Sequence, residues 1–215
     1  MAGSMAERRA RQSERRERRA AITDPGIVMA ASAALLAVRA RTTHELRTRL
    51  ITLGYPAELV EETIERLGTL GYLDDEAYAR AWVLSRDRAR PRGSMALRRE
   101  LLRKGIGKEL ADVALRDRDV EAAGAAADDP DRDRTGSQTR GNDGAADLAA
   151  ALRLLDRRHS ALGREPDPRK RRQRAYSLLA RNGFDPGVCL QATRTFLVNT
   201  DEAVQDTDEA APEQV

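Results

Sequence analysis

The stretch from Leu97 to Ala111 reads LRRELLRKGIGKELA, and the same pattern stands at Leu46 to Val60 (LRTRLITLGYPAELV) and at Ala175 to Cys189 (AYSLLARNGFDPGVC). The three align without a gap: Leu46 with Leu97 and Ala175, Leu50 with Leu101 and Leu179, Gly54 with Gly105 and Gly183, Leu59 with Leu110 and Val188. Apolar residues at i and i+4 share one helix face, and a glycine just beyond them takes the left-handed backbone that ends a helix. Tyr55, Ile106 and Phe184 follow as the apolar residue that folds back on the last turn. A second helix then opens, with Pro56 in its first turn in one copy and Asp185-Pro186 as cap and first residue in another.

Each copy is preceded by a further helical stretch. The first runs from about Ile27 to Ala40 behind an Asp24-Pro25 start, and Thr42 to Glu45 then has the form of a capping box. The second runs from Asp75 to about Arg90 and closes before Pro91 and Gly93; the third runs from Ala146 to about Leu162, and Asp167-Pro168 opens its partner. The unit is therefore three helices. The fold class is all-α, with nine helices in three tandem three-helix repeats and no strand.

Outward from the repeats, the spacing of the glycines exposes an insertion. Asp117 to Ala146 holds one large aliphatic residue, Val120, among eight acids and four Arg, too little apolar surface to offset the entropy of ordering. The expected organisation is a disordered basic tail over 1–24, repeats over 25–72 and 73–116, a disordered insertion over 117–146, a third repeat over 147–199 and a disordered acidic tail over 200–215.

Composition narrows the function classes. Of 215 residues, 34% are charged and 3% aromatic, which disfavours β-sandwiches, barrels and stacking platforms for nucleic acid. One cysteine, Cys189, rules out an internal disulfide framework and fits a reducing cytoplasm; mid-helix among apolar neighbours, it reads as a buried inert thiol. His44 and His159 stand too far apart for a metal-ligand pair, so neither metal nor cofactor is expected. The apolar run Gly26 to Val38 imitates a signal peptide but is shorter than the roughly 20 residues a membrane span needs, and charge resumes at Arg39.

Catalytic signatures such as GxxxxGK, HExxH, CxxC and GxSxG are missing, so an enzyme is not expected. Asp74, Asp75 and Glu76 directly follow a helix end and read as caps and first-turn acids rather than as a catalytic cluster. Tyr78, Ala81, Trp82 and Ser85 share a helix face and are expected to pack against neighbouring helices. The densest charge lies at Arg80, Arg86, Arg88, Arg90, Arg92, Arg98, Arg99, Arg103 and Lys104, opposed only by Asp87 and Glu100. Arg169, Arg171 and Arg172 repeat the feature in the third unit. This is either a surface for an acidic partner or phosphates, or a solvated helix face.

Between the first two units stands GYLDDEAYA, Gly71 to Ala79, preceded by EETIERLGTL and followed by RDRARPRGSMALRRELLRKGI. In order and approximate spacing this strongly resembles the RecX family of bacterial recombination regulators, well over residues 27 to 115 and more loosely over 146 to 198. The resemblance implies an elongated all-helical array of three-helix repeats that binds the RecA recombinase, or its filament on single-stranded DNA, and inhibits its ATPase and strand exchange. The twelve basic residues named above are then the candidate filament contacts, with direct binding of single-stranded or duplex DNA weak and salt-dependent, and the protein a cytoplasmic monomer. The alternative is a stand-alone helix-turn-helix module on duplex DNA. Its recognition helix should begin with base-reading side chains, whereas the third helices here begin acidic or mixed, at Glu58 and at Lys108-Glu109.

Overall fold

The computed structural model describes residues 5–127 and 144–209, with the side chains of 125–127 and 199–209 outside the description. All described secondary structure is helical: α1 (Met5–Ala20), α2 (Pro25–Val38), α3 (Thr43–Leu53), α4 (Ala57–Thr69), α5 (Asp75–Ala89), α6 (Ser94–Arg103), α7 (Lys108–Ala127), α8 (Ala145–Asp156), α9 (His159–Gly163), α10 (Pro168–Arg181) and α11 (Pro186–Glu209). The three repeats are α2–α4, α5–α7 and α8–α11. The count is eleven rather than nine because α1 was not expected and because the first helix of the third repeat breaks at Arg157-Arg158.

By contacts the chain divides into two compact units, Met1–Ala79 with Leu101–Leu110, and Arg80–Glu100 with Ala111–Val215. In the first, Val28, Leu46, Leu50, Val60, Ile64, Leu67 and Leu73 form the core. In the second, Leu155, Leu162, Leu179, Phe184, Phe196 and Leu197 surround a floor of small residues, Ala150, Ala151, Ala175 and Ala192. Cys189 is fully buried there with its Sγ–H directed 3.7 Å to the Phe184 carbonyl, and burial first, then the charges of Asp185 and Asp147, push the thiol pKa up. An uncharged thiol is inert.

The aligned residues do the same work in each copy. Gly54, Gly105 and Gly183 all have positive φ, at 100°, 81° and 81°. The N–H after each glycine returns to the carbonyl of the aligned leucine: Tyr55 to Leu50 at 3.3 Å, Ile106 to Leu101 at 3.1 Å, Phe184 to Leu179 at 3.4 Å. That is the Schellman closure of a helix C-terminus. A β-carbon at Gly105 would fall inside the His44 side chain, and one at Gly183 would stand 2.8 Å from the Ala96 nitrogen. Each glycine is thus also where the start of an earlier helix comes close.

The residue before the glycine carries the joint itself. Within the first unit, Thr42 Oγ1 donates to the Lys104 carbonyl at 2.6 Å; within the second, the Gly93 N–H donates to the Asn182 carbonyl at 3.1 Å. Thr42 and Gly93 are aligned, as are Lys104 and Asn182. The aligned carbonyl of the first repeat, Leu53, receives Arg19 Nη1 of α1 at 3.2 Å, and Arg19 also lies 5.5 Å over the Tyr55 ring. A β-carbon at Gly54 would stand 2.9 Å from the Arg16 carbonyl oxygen. Helix α1 therefore fills, on the first repeat, the place that a preceding repeat fills elsewhere.

Three expectations about order need correction. Residues 5–20, read as part of a disordered tail, form α1: good helix formers and the Glu14–Arg18 pair at 2.6 Å support it locally, and docking of Arg16 and Arg19 supplies what an isolated helix lacks. The insertion read from 117 begins instead as the last turns of α7, to Ala127, and resumes as helix at Ala145; 128–143 lie outside the described residues. The acidic tail read from 200 is helical to Glu209 in α11, and 210–215 lie outside the description.

Candidate partner-binding surface

The twelve basic residues divide into those the fold consumes and those it leaves free. Trp82, Arg86, Arg92 and Glu100 make one cluster: Arg86 Nε donates to Glu100 Oε2 at 2.9 Å, Trp82 Nε1 to the same oxygen at 3.0 Å, and Arg92 reaches Oε1 at 3.4 Å. The Arg86 guanidinium lies 4.1 Å over the Trp82 ring, so it holds its place by charge and by stacking. Glu100 is buried and needs these donors. Arg98 donates to Asp112 at 2.7 Å and Arg80 to Asp117 at 2.9 Å. In the first unit Lys104 donates to Glu45 at 2.9 Å and lies 5.3 Å over the Tyr78 ring. Burial favours neutral forms of both Lys104 and Glu45, yet their pairing outweighs it, raising the lysine pKa and lowering that of the carboxyl, which Arg39 also contacts at 2.7 Å.

Arg88, Arg90, Arg103, Arg169 and Arg172 are exposed and carry no side-chain ion pair or hydrogen bond among the described residues; Arg99 reaches only its own helix, at the Met95 carbonyl 3.2 Å away. Arg171 is half-buried and donates to the Glu165 carbonyl at 3.2 Å. The expected apolar face of α5 is shifted by one residue. Ala79 and Val83 are the buried pair, Tyr78 and Trp82 are half-buried beside charged partners, and Ala81 and Ser85 face solvent. Asp74 and Asp75 are spent on backbone, Asp74 accepting from the Ala77 N–H and Asp75 from the Thr43 N–H, both at 2.8 Å. Among the described residues no group of His, Cys, Asp and Glu is placed to hold a metal ion.

The residue that the sequence reading missed is Arg118. It is 6% exposed and forks onto Asp87, Nε to Oδ2 and Nη2 to Oδ1, both at 2.8 Å. Its Nη1 bonds Asp147 and lies 3.2 Å from Ser94 Oγ, and Nη2 reaches the Arg92 carbonyl at 3.3 Å. Burial disfavours the guanidinium charge, but Asp87 and Asp147 more than compensate and hold its pKa above the ordinary value. Asp147 in turn caps α6, accepting from the Ser94 N–H at 3.0 Å. A signal existed: Ala111, Ala114 and Leu115 are buried on α7, and Arg118 continues that i, i+3, i+4, i+7 stripe. Arg157 was missed too; Nη1 and Nη2 bond the Ala89 and Arg88 carbonyls at 2.9 and 2.8 Å, closing the C-terminus of α5.

Comparison with known proteins matches family models for all three parts of one protein type: the first three-helix domain of RecX at residues 29–67, the second at 74–115 and the third at 145–193. A protein named regulatory protein RecX from Mycolicibacterium smegmatis is 32% identical over 168 residues, 78% of each chain. One from Streptomyces coelicolor is 32% identical over 179 residues, covering 83% of this chain and 80% of the relative. Among solved structures, the crystal structure of RecX from Lactobacillus salivarius superposes with a TM-score of 0.63 over 81% of this chain and 97% of the other, at 17% identity.

Proposed function

Because the chain belongs to the RecX family of regulatory proteins, we propose that it binds the RecA recombinase, or the RecA filament on single-stranded DNA, and inhibits ATP hydrolysis and strand exchange. The observation that carries this reading is the set of exposed arginines without a carboxylate partner, Arg88, Arg90, Arg99 and Arg103, left over after the rest of the basic run has been consumed by ion pairs. An arginine held by an internal carboxylate cannot offer its fork to a partner without leaving that acid unpaired; a free one can make bidentate contacts to carboxylate or phosphate. On this reading the protein acts as a cytoplasmic monomer and needs no catalytic chemistry of its own.

The test is the DNA-dependent ATPase of the cognate recombinase on single-stranded DNA. Changing Arg88, Arg90, Arg99 and Arg103 together to Glu should weaken inhibition at least tenfold with the helical spectrum and melting point unchanged, because exposed charges away from stabilising contacts alter stability by only about ±0.5 kcal/mol. Glu62→Lys with Glu65→Lys is the control, both residues being exposed; Glu61 is unsuitable, since Arg47 forks onto it at 2.8 and 3.0 Å. Inhibition by the parent protein should also fall as salt rises. Undiminished inhibition by the fourfold variant removes the basic surface from the mechanism. Tight binding to specific duplex without any effect on the recombinase favours the helix-turn-helix alternative.

A further inference from the structure

A small cavity opens along the seam of α10 and α11, about 150 Å³ in volume and lined by Arg172, Tyr176, Leu190, Thr193 and Arg194. Arg172 and Tyr176 are one turn apart on α10, and Leu190, Thr193 and Arg194 share a face of α11. No acid lines it. Both arginines are exposed, and their side chains carry no ion pair or hydrogen bond among the described residues. Thr193 is 3% exposed, and its Oγ1 has no hydrogen-bond partner among the described residues. A threonine hydroxyl on a helix ordinarily turns to the carbonyl four residues back, as Thr52 does to Thr48 at 2.7 Å and Thr195 to Gln191 at 3.2 Å. Leaving a buried hydroxyl unmade costs on the order of 1–3 kcal/mol.

We infer that this notch binds a phosphoryl group. Two unneutralised guanidiniums at the rim of one cavity raise the local positive potential, and a tetrahedral oxyanion relieves it while accepting from both forks. The Thr193 hydroxyl, and that of Tyr176, add neutral donors of the kind that complete such a site. The volume is well below the roughly 300 Å³ at which pockets begin to enclose a whole small molecule, so one group enters and the remainder of its carrier lies outside. Leu190, 63% exposed, gives that remainder an apolar surface to rest on. The shared chemistry is the phosphate, whether free in solution or part of a nucleic-acid strand. The inference does not depend on the recombinase reading.

The test titrates the full-length chain with inorganic phosphate and, separately, with a twelve-residue oligothymidylate, following amide and side-chain resonances. Saturable shifts should centre on Tyr176, Thr193 and Arg194. Arg172→Gln and Arg194→Gln should each weaken phosphate binding about tenfold or more, the loss expected for a charge-assisted hydrogen bond. Thr193→Val should weaken it roughly three- to tenfold without lowering the melting point, which a purely structural threonine would not do. If the oligonucleotide binds more tightly than phosphate with the same sensitivity to all three variants, the strand is the source; if it fails to compete with phosphate, the source is a free phosphate. Shifts spread over many arginines without saturation, or binding indifferent to the three substitutions, overturn the assignment.

Discussion

The hydroxyl of Thr42 serves two helices at once: it accepts the Glu45 N–H at 3.0 Å, capping α3, and donates to the Lys104 carbonyl at 2.6 Å, closing the end of α6. The reciprocal arm of the capping box is not made, since Glu45 turns to Lys104 and Arg39 instead. Thr42→Val removes acceptor and donor together at a fully buried position and should cost about 2–3 kcal/mol in chemical denaturation, combining a lost cap with an unpaired carbonyl. Thr42→Ser should cost well under half of that. A smaller loss for Thr42→Val than for Thr42→Ser would show that the methyl group, not the hydroxyl, matters.

Arg118 holds Asp87 and Asp147 in a buried cluster, so truncation leaves Asp147 without a cation and Asp87 with only the longer Arg153 contact at 3.9 Å. Arg118→Met should destabilise by about 3–5 kcal/mol, and Arg118→Lys should recover only a minor part because ammonium lacks the fork that spans Asp87. Adding Asp87→Asn to Arg118→Met should restore stability in part. A melting curve for Arg118→Met that overlays the parent would remove the cluster from the stability of the fold.

The repeat glycines and an ordinary helical glycine should respond in opposite directions. At Gly105 and Gly183 a side chain meets both positive φ and a neighbouring helix start, so alanine at either should cost more than about 2 kcal/mol. Gly68 lies in α4 with nothing within 4 Å of a built β-carbon, and Gly68→Ala should stabilise by up to about 1 kcal/mol. Thermal melts of the three variants check both signs.

Two carboxyls should shape the acid limb with opposite sign. Glu45 is held below its ordinary pKa, so its contribution is present above the unfolded value and lost as pH falls through the folded one. Asp119 is raised, chiefly by burial and further by Asp147 against the pull of the Ala146 N–H; its contribution is present below the unfolded pKa and lost as pH rises through the folded one. At neutral pH, Glu45→Gln should therefore lower stability and Asp119→Asn raise it, each by about 1 kcal/mol or less for partly exposed groups. Both differences should shrink as pH falls below the ordinary carboxyl range. Denaturation midpoints at pH 7 and in acid decide the signs.

The repeat was legible because its determinants are local: a leucine pair, a glycine and an apolar follower within ten residues fix a helix, its end and its fold-back. Asp24 and Asp167 cap as their sequences indicate, taking the Gly26 and Arg169 N–H groups at 2.8 Å. What composition hid was order bought by polar contacts. Helix α1 buries no residue and docks through the Arg19 guanidinium and the Arg16 backbone, so no apolar stripe announces it. Arg118 was lost in a charged stretch because its burial depends on Asp87 and Asp147, 31 and 29 positions away. The same non-locality splits the basic run: nothing near Arg86 in sequence marks it as Glu100's partner, or Arg90 as unpaired.

At each joint one three-helix repeat offers a carbonyl that receives and another a helix start that gives, like monomers joined head to tail. The two outer repeats of this array each depart from that pattern on one side. At the head, Arg19 occupies the Leu53 carbonyl that another repeat would need. At the tail, the residue aligned with Thr42 and Gly93 is Arg171, which lies inside α10 because that helix starts at Pro168 instead of at the aligned position. A duplicated repeat would therefore find both halves of its bond at a joint such as Thr42–Lys104 or Gly93–Asn182.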